Sequence, residues 1–380
     1  MEDQKGGNTG KTKAARRLVR AGSLLLGCAF LLAMTACGTS GTEARHVVEK
    51  SGQKVTVMDN TTDSVYTKLK LDSIDKFEGI RGMDWLGENE LAVDKENRKL
   101  TPEMIEGQER YPHNLYIRNL ASGQDQPLKE GKESLGNAIV SPDNKYIFYK
   151  EVYEATGIGY LMNLGTRETV QLGKDEFMAS EGEWADSGHV IYPDMKGDII
   201  KADVQGKSEV VLETGAGIIH NVVQSGSIIY YVAHEDSQLF AYDTETKKSK
   251  MIKKNVMWVI PSPDGSRLAI VKREGPGEMK LVLCDPAGNE QSVIDSGTQI
   301  FGTNWSPDGS KLAYNVSSDN GNVNRLFITE VETGEQTPIS DEMQASDKLR
   351  WSPSGKKLLI STSVLKDNKY QFVTYVITLS

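Results

Sequence analysis

The sequence predicts an all-β chain folded as a β-propeller of four-stranded blades, seven by count, with six or eight as the alternatives. Three observations predict it: a hairpin turn that recurs along the chain, a tryptophan held at one place beside that turn, and short apolar runs with no long helical pattern between them. The turn is clearest in Ser306-Pro307-Asp308-Gly309, Ser262-Pro263-Asp264-Gly265 and Ser352-Pro353-Ser354-Gly355, each flanked by two apolar runs. Weaker copies follow Trp85 and Trp184, surround Gly226, and read Ser141-Pro142-Asp143-Asn144. Equivalent turns recur at roughly 40 to 55 residues, about the length of one blade.

The turn chemistry explains the recurring residue types. Pro142, Pro263, Pro307 and Pro353 preset φ early in a tight turn, and Gly265, Gly309 or Gly355 supplies the positive φ that a short hairpin needs. Asn144 stands where the glycine belongs, and Asn tolerates that left-handed conformation best after Gly. Trp85, Trp184, Trp305 and Trp351 each precede their turn, where a large ring on an inner strand packs one blade against the next. Trp258 precedes its turn by several residues more, which predicts an exposed or channel-mouth position.

Third strands are read in Leu115-Tyr-Ile-Arg, Leu239-Phe-Ala-Tyr and Leu326-Phe-Ile-Thr, each followed by a polar turn and a fourth strand. The last blade ends on its third strand, Phe372-Val-Thr-Tyr-Val-Ile. Residues 54–58 and 65–71 have strand character but no inner pair of their own. They are expected to complete the C-terminal blade, with one strand or two, and so to clasp the ring.

The N-terminus reads as an export signal over residues 1–36: six Lys or Arg, then an apolar run too short to span a bilayer as a helix. Met34-Thr35-Ala36-Cys37 resembles the bacterial lipobox, which implies lipid attachment at Cys37. Residues 37–45 are then a flexible tether, and residues 46–380 the propeller domain. The expected location is the bacterial cell envelope, on the extracytoplasmic side of a membrane.

The chain carries a net charge of −9, and the basic signal accounts for +4, so the remainder is more acidic still. An acidic domain without basic patches is a poor partner for nucleic acid. Of three cysteines only Cys284 lies in the body of the domain, within an aliphatic run that makes it a small buried hydrophobe. The five histidines form no metal-binding pair, and neither a metal nor any other cofactor is expected.

The repeated Trp-Ser-Pro-Asp-Gly run followed by Leu-Ala resembles the TolB-like, WD40-like propeller family over residues 80–361. The chain has no Gly-x-Ser-x-Gly elbow, so the peptidases that carry similar propellers are a poor guide to its activity. In such a blade the tight turns occupy one rim, and the crossovers between second and third strands occupy the other. That second rim is expected to carry insertions at 94–113, 150–159, 272–280, 317–325 and 362–369. Lengthened loops on one face predict a binding surface. Its candidate residues are Arg110, Tyr111, His113, Tyr153, Arg273 and Arg325. At the ring mouth, Arg81, Asn137, His220, Trp258, Asn304 and Arg350 are candidates for lining a central pocket. The reading is a non-catalytic, membrane-anchored propeller that binds a protein or envelope ligand. Its alternatives are an enzyme acting on polysaccharide or peptide, and a sensory accessory of envelope signalling.

Overall fold

The computed structural model describes residues 45–50, 53–58, 69–105, 107–233, 237–317, 324–366 and 369–380. The signal, Cys37 and most of the tether lie outside these residues. Two compact units separate, Met1–Thr67 and Lys68–Ser380. Within the first, Arg45–Lys50 and Gln53–Met58 pair with each other as a two-stranded antiparallel sheet. This corrects the expectation that 54–58 joins the last blade: all six positions of that strand are matched in register by its own hairpin partner.

The second unit is seven four-stranded antiparallel sheets. Their first strands are Arg81–Gly87, Leu135–Val140, Glu183–Asp186, Ile219–Ser225, Val256–Pro261, Gln299–Trp305 and Arg350–Trp351, for blades one to seven. Each first strand packs beside that of a neighbouring blade, so together they form the inner wall of the ring. In blades one to six the strands follow chain order outward. In blade seven the outer strand is Leu71–Glu78, which pairs antiparallel with the C-terminal strand Lys369–Leu379. The clasp is thus one strand, and it begins where 65–71 was expected to end.

Seven hydrophobic clusters hold the ring, each drawn from two neighbouring blades. One of them joins Trp85, Leu91 and Tyr116 of blade one to Leu359 and Val376 of blade seven, so packing as well as the clasp closes the circle. Second strands are sandwiched on both faces, which is why they read as unbroken apolar runs such as Leu268 to Val271, all fully buried.

The turns have the expected backbone. Gly265, Gly309 and Gly355 lie at φ 70°, 71° and 69°, and Asn144 at 57°. The serine and aspartate are explained too. Ser306 donates its hydroxyl to Asp308 at 2.6 Å and accepts the amide of Lys311 at 2.9 Å, and Ser262 does the same with Asp264 at 2.6 Å and Arg267 at 3.0 Å.

The tryptophans do more than pack. Trp85, Trp184, Trp305 and Trp351 donate their indole N–H to the backbone carbonyls of Arg350, Ile139, Ile260 and Asn304, each on the inner strand of the preceding blade, at 2.9 to 3.3 Å. A buried indole needs such a partner, and here the partner ties two blades together.

Candidate functional site

Several inner strands share a local irregularity that builds the site. Antiparallel register slips by a bulge between Gly136 and Ile139, His220 and Val223, and Phe301 and Asn304. The bulges hold Asn137 at φ 48°, Asn221 at 52° and Gly302 at 69°. A bulge re-aims side chains and ends pairing, and these sit where the strands reach the centre of the ring. The result is a central cavity of about 610 Å³, lined from all seven blades.

Charge is concentrated on one part of this wall. Arg81 forks onto Asp347, Nε to Oδ2 at 2.8 Å and Nη2 to Oδ1 at 2.5 Å, and also donates to Asn137 Oδ1 at 2.9 Å. Behind it, Asp94 lies 3.8 Å from Arg81 and accepts a hydrogen bond from His113 Nδ1–H at 2.7 Å. Burial opposes charge on His113, but the bond to Asp94 and its charge outweigh that and raise the imidazole pKa. Lys348 pairs with Glu183. Burial would raise the Glu183 carboxyl, yet Lys348, Arg350 and Lys150 hold it down at about 2. Glu181, also buried, accepts the Asn221 amide at 2.8 Å, and burial raises its carboxyl. Lys150 is 2% exposed, and burial pushes its ammonium down to about 7, beyond what Glu183 and Glu181 restore.

Polar residues just before the tryptophans bridge blades. Asp84 accepts the amides of Trp85 at 2.9 Å and of Val140, in blade two, at 2.8 Å. Asn304 accepts the Trp305 amide at 3.0 Å and donates to the Leu349 carbonyl at 2.7 Å.

Of the ring-mouth candidates, Arg81, Asn137, Trp258 and Arg350 line the cavity, with Trp258 38% exposed. Asn304 and His220 do not. Asn304 is turned to its bridge between blades six and seven, and His220 stands edge-on to Trp258, ring centroids 6.0 Å apart. The rim candidates are dispersed. Arg110 ends a small hairpin, Glu103–Ile105 with Gln108–Arg110, and Tyr111 follows it, bonded to Glu109 at 3.2 Å. Tyr153 bonds Glu151, Arg273 is exposed beside Met257, and Arg325 faces Asp341 at 3.3 Å. His113 belongs to the Arg81 and Asp94 network instead of the rim.

The expected insertions are mostly ribbons. The strands continue to Tyr153 and restart at Thr156 in blade two, and run to Gly275 and from Glu278 in blade five. In blade seven they reach Lys366 and resume at Lys369. Polar residues paired along an antiparallel ladder look like loop in sequence. Sequence reading also passed over Lys150, Glu181, Glu183, Asp347 and Lys348. Glu183 stands immediately before Trp184 as Arg350 does before Trp351, so the rule that selected Arg350 reaches it.

No protein-family profile matches the chain. It is 35% identical over 79 residues to the Tol-Pal system protein TolB of Xanthomonas oryzae pv. oryzae, covering 20% of this chain and 18% of that protein. It is 28% identical over 109 residues to the uncharacterized peptidase YuxL of Bacillus subtilis, 27% of this chain and 16% of that one. The matches thus span less than a fifth of these relatives. Among solved structures, an oligogalacturonate lyase in complex with manganese superposes with a TM-score of 0.57 at 15% identity, over 82% of this chain and 98% of the other, a likeness of fold. The ring is a seven-bladed β-propeller, and over 79 residues its sequence is similar to TolB.

Proposed function

We propose that this protein is a lipid-anchored, extracytoplasmic binding propeller whose ribbon-bearing rim docks a protein partner of the cell envelope. One observation carries the reading. On the rim of the second-to-third-strand crossovers, neighbouring blades seven, one and two present exposed apolar side chains: Leu365 and Tyr370 at 61% and 78%, Met104 at 66%, and Tyr153 at 37%. Apolar side chains exposed toward the ends of antiparallel ribbons on one rim fit a protein interface better than a hydrophilic ligand. The lipobox-like run before Cys37 supports attachment through that residue, and the acidic composition supports a partner other than nucleic acid.

The test is recovery of partners from envelope extracts by the full-length chain. Replacing residues 103–110 by Gly-Ser, or the pair Leu365→Ser and Tyr370→Ser, is expected to lose the same partners in both variants. This choice leaves Asp94 and His113, which belong to the central network, in place. Equal recovery by wild type and both variants refutes docking on this rim. Cys37→Ala is expected to abolish incorporation of labelled fatty acid and move the protein out of the membrane fraction; unchanged labelling refutes the anchor.

A further inference from the structure

Two of the cavity's cations are already engaged, Arg81 by Asp347 and Lys348 by Glu183. Two are not. Lys150 is buried, and among the described residues its Nζ has no acceptor within hydrogen-bond reach and no carboxylate within ion-pair distance. It rests instead over the rings of Phe148 and Phe177, at 4.6 and 5.9 Å from their centroids. The Arg350 guanidinium, on the same cavity wall, likewise makes no hydrogen bond to protein among the described residues; Asp84, Glu183 and Asp347 act on it only through charge. Lys150 and Arg350 therefore line one cavity with no side-chain hydrogen bond to protein among the described residues. A buried cation without a partner is costly, and the cost is removed when an anion supplies the missing acceptors.

We propose that the central cavity is a binding site for a small organic carboxylate, whose carboxyl group is held by Lys150 and Arg350 and whose body lies toward Trp258. The guanidinium fork matches a carboxylate in shape. Glu181 and Glu183 on the same wall favour a single negative charge over the double charge of a phosphate. The volume, about 610 Å³, admits a ligand of one or two rings or residues, and the exposed Trp258, with Phe301 and Ile260, gives it an apolar wall. Val152, Glu154 and Ala155 of the blade-two ribbon also line the cavity, but none of residues 103–110, Leu365 or Tyr370 does, so the rim variants leave its lining intact.

Calorimetric titration of the full-length protein at pH 7 tests it with paired probes. D-glucuronate is set against glucose, the dipeptide Ala-Phe against its C-terminal amide, benzoate against benzamide, and inorganic phosphate serves as a bare anion. At least one carboxylate is expected to bind tenfold or more tightly than its neutral counterpart and than phosphate. The pair that responds tells an acidic sugar from a peptide terminus. Lys150→Met and Arg350→Met should each weaken that binding at least tenfold, with Lys150→Arg and Arg350→Lys retaining more of it and reporting on folding. The Gly-Ser replacement of 103–110 should bind as wild type. No carboxylate-dependent binding across the panel, equal binding of phosphate, or undiminished affinity in folded Lys150→Met overturns the proposal.

Discussion

At position 150 a lysine continues a strand whose preceding side chains, Ile147, Phe148 and Tyr149, are all buried. The groups that face it are Glu181 and Glu183 from blade three and Lys348 and Arg350 from blade seven, and burial outweighs their sum. Its folded pKa, about 7, lies below the ordinary 10.5, so unfolding takes up a proton between those values. The penalty to folding is fully present below about pH 7 and is relieved as pH rises through that window. On the shift itself the penalty is on the order of 5 kcal/mol. Lys150→Met is therefore expected to be more stable than wild type at pH 6, by on the order of 2 to 4 kcal/mol, with the gap closing toward pH 10. Denaturant titrations at pH 6, 8 and 10 measure it; a gap independent of pH would mean that the charge is not the cause. Glu183 carries the opposite sign. Its carboxyl is held below the ordinary 4.5, so its contribution is present above that value and is lost as pH falls toward about 2.

At the scale of the element, the hairpin and its tryptophan act as one device. The turn sets the backbone, and the indole fastens the strand to the blade before it. Trp305→Phe keeps an aromatic ring but loses part of its packing volume and leaves the Ile260 carbonyl without its donor, and is expected to cost about 1 to 3 kcal/mol in denaturant unfolding. Gly309→Ala, at φ 71°, should cost about 1 to 2 kcal/mol, whereas Asn144→Gly, at φ 57°, should change stability by less than about 0.5 kcal/mol. If the two turn substitutions cost the same, the left-handed backbone is not what selects these residues. This device is also what sequence shows best, because Pro, Gly and Trp report their backbone and packing demands locally. The cavity is less legible. Its wall depends on bulges at Asn137 and Asn221, where a polar residue in a left-handed conformation inside a strand carries no periodic signature. Lys150 and Glu183 meet across blades more than thirty residues apart in the chain, so their chemistry arises only when the ring is formed. The extended crossovers look like loop in sequence for a related reason: ribbons such as Lys357–Lys366 are exposed at their outer ends and carry polar residues there.

For the whole molecule, the open question is what the clasp strand contributes. Leu71–Glu78 is exposed at every position except the half-buried Phe77, so it adds little apolar burial to the seven inter-blade clusters. Its contribution lies in the ladder. From Leu71 opposite Leu379 to Glu78 opposite Val373 it covers the edge of the C-terminal strand, and Lys70 and Ser380 exchange backbone hydrogen bonds at 2.7 and 3.0 Å beyond it. Uncovered, Lys369–Leu379 would present an eleven-residue edge with alternate apolar side chains, a template for pairing between molecules. Introducing Asp75→Pro together with Lys76→Pro removes ladder donors without touching a buried side chain. The expected outcome is a moderate loss of stability, about 5 to 10 °C in Tm, because the packing of blade seven against blade one remains. The larger effect should appear in size-exclusion chromatography with light scattering, as concentration-dependent association that wild type does not show. A double variant that stays monomeric with an unchanged Tm would mean that the inter-blade clusters alone close the ring, and that the N-terminal strand is dispensable to it.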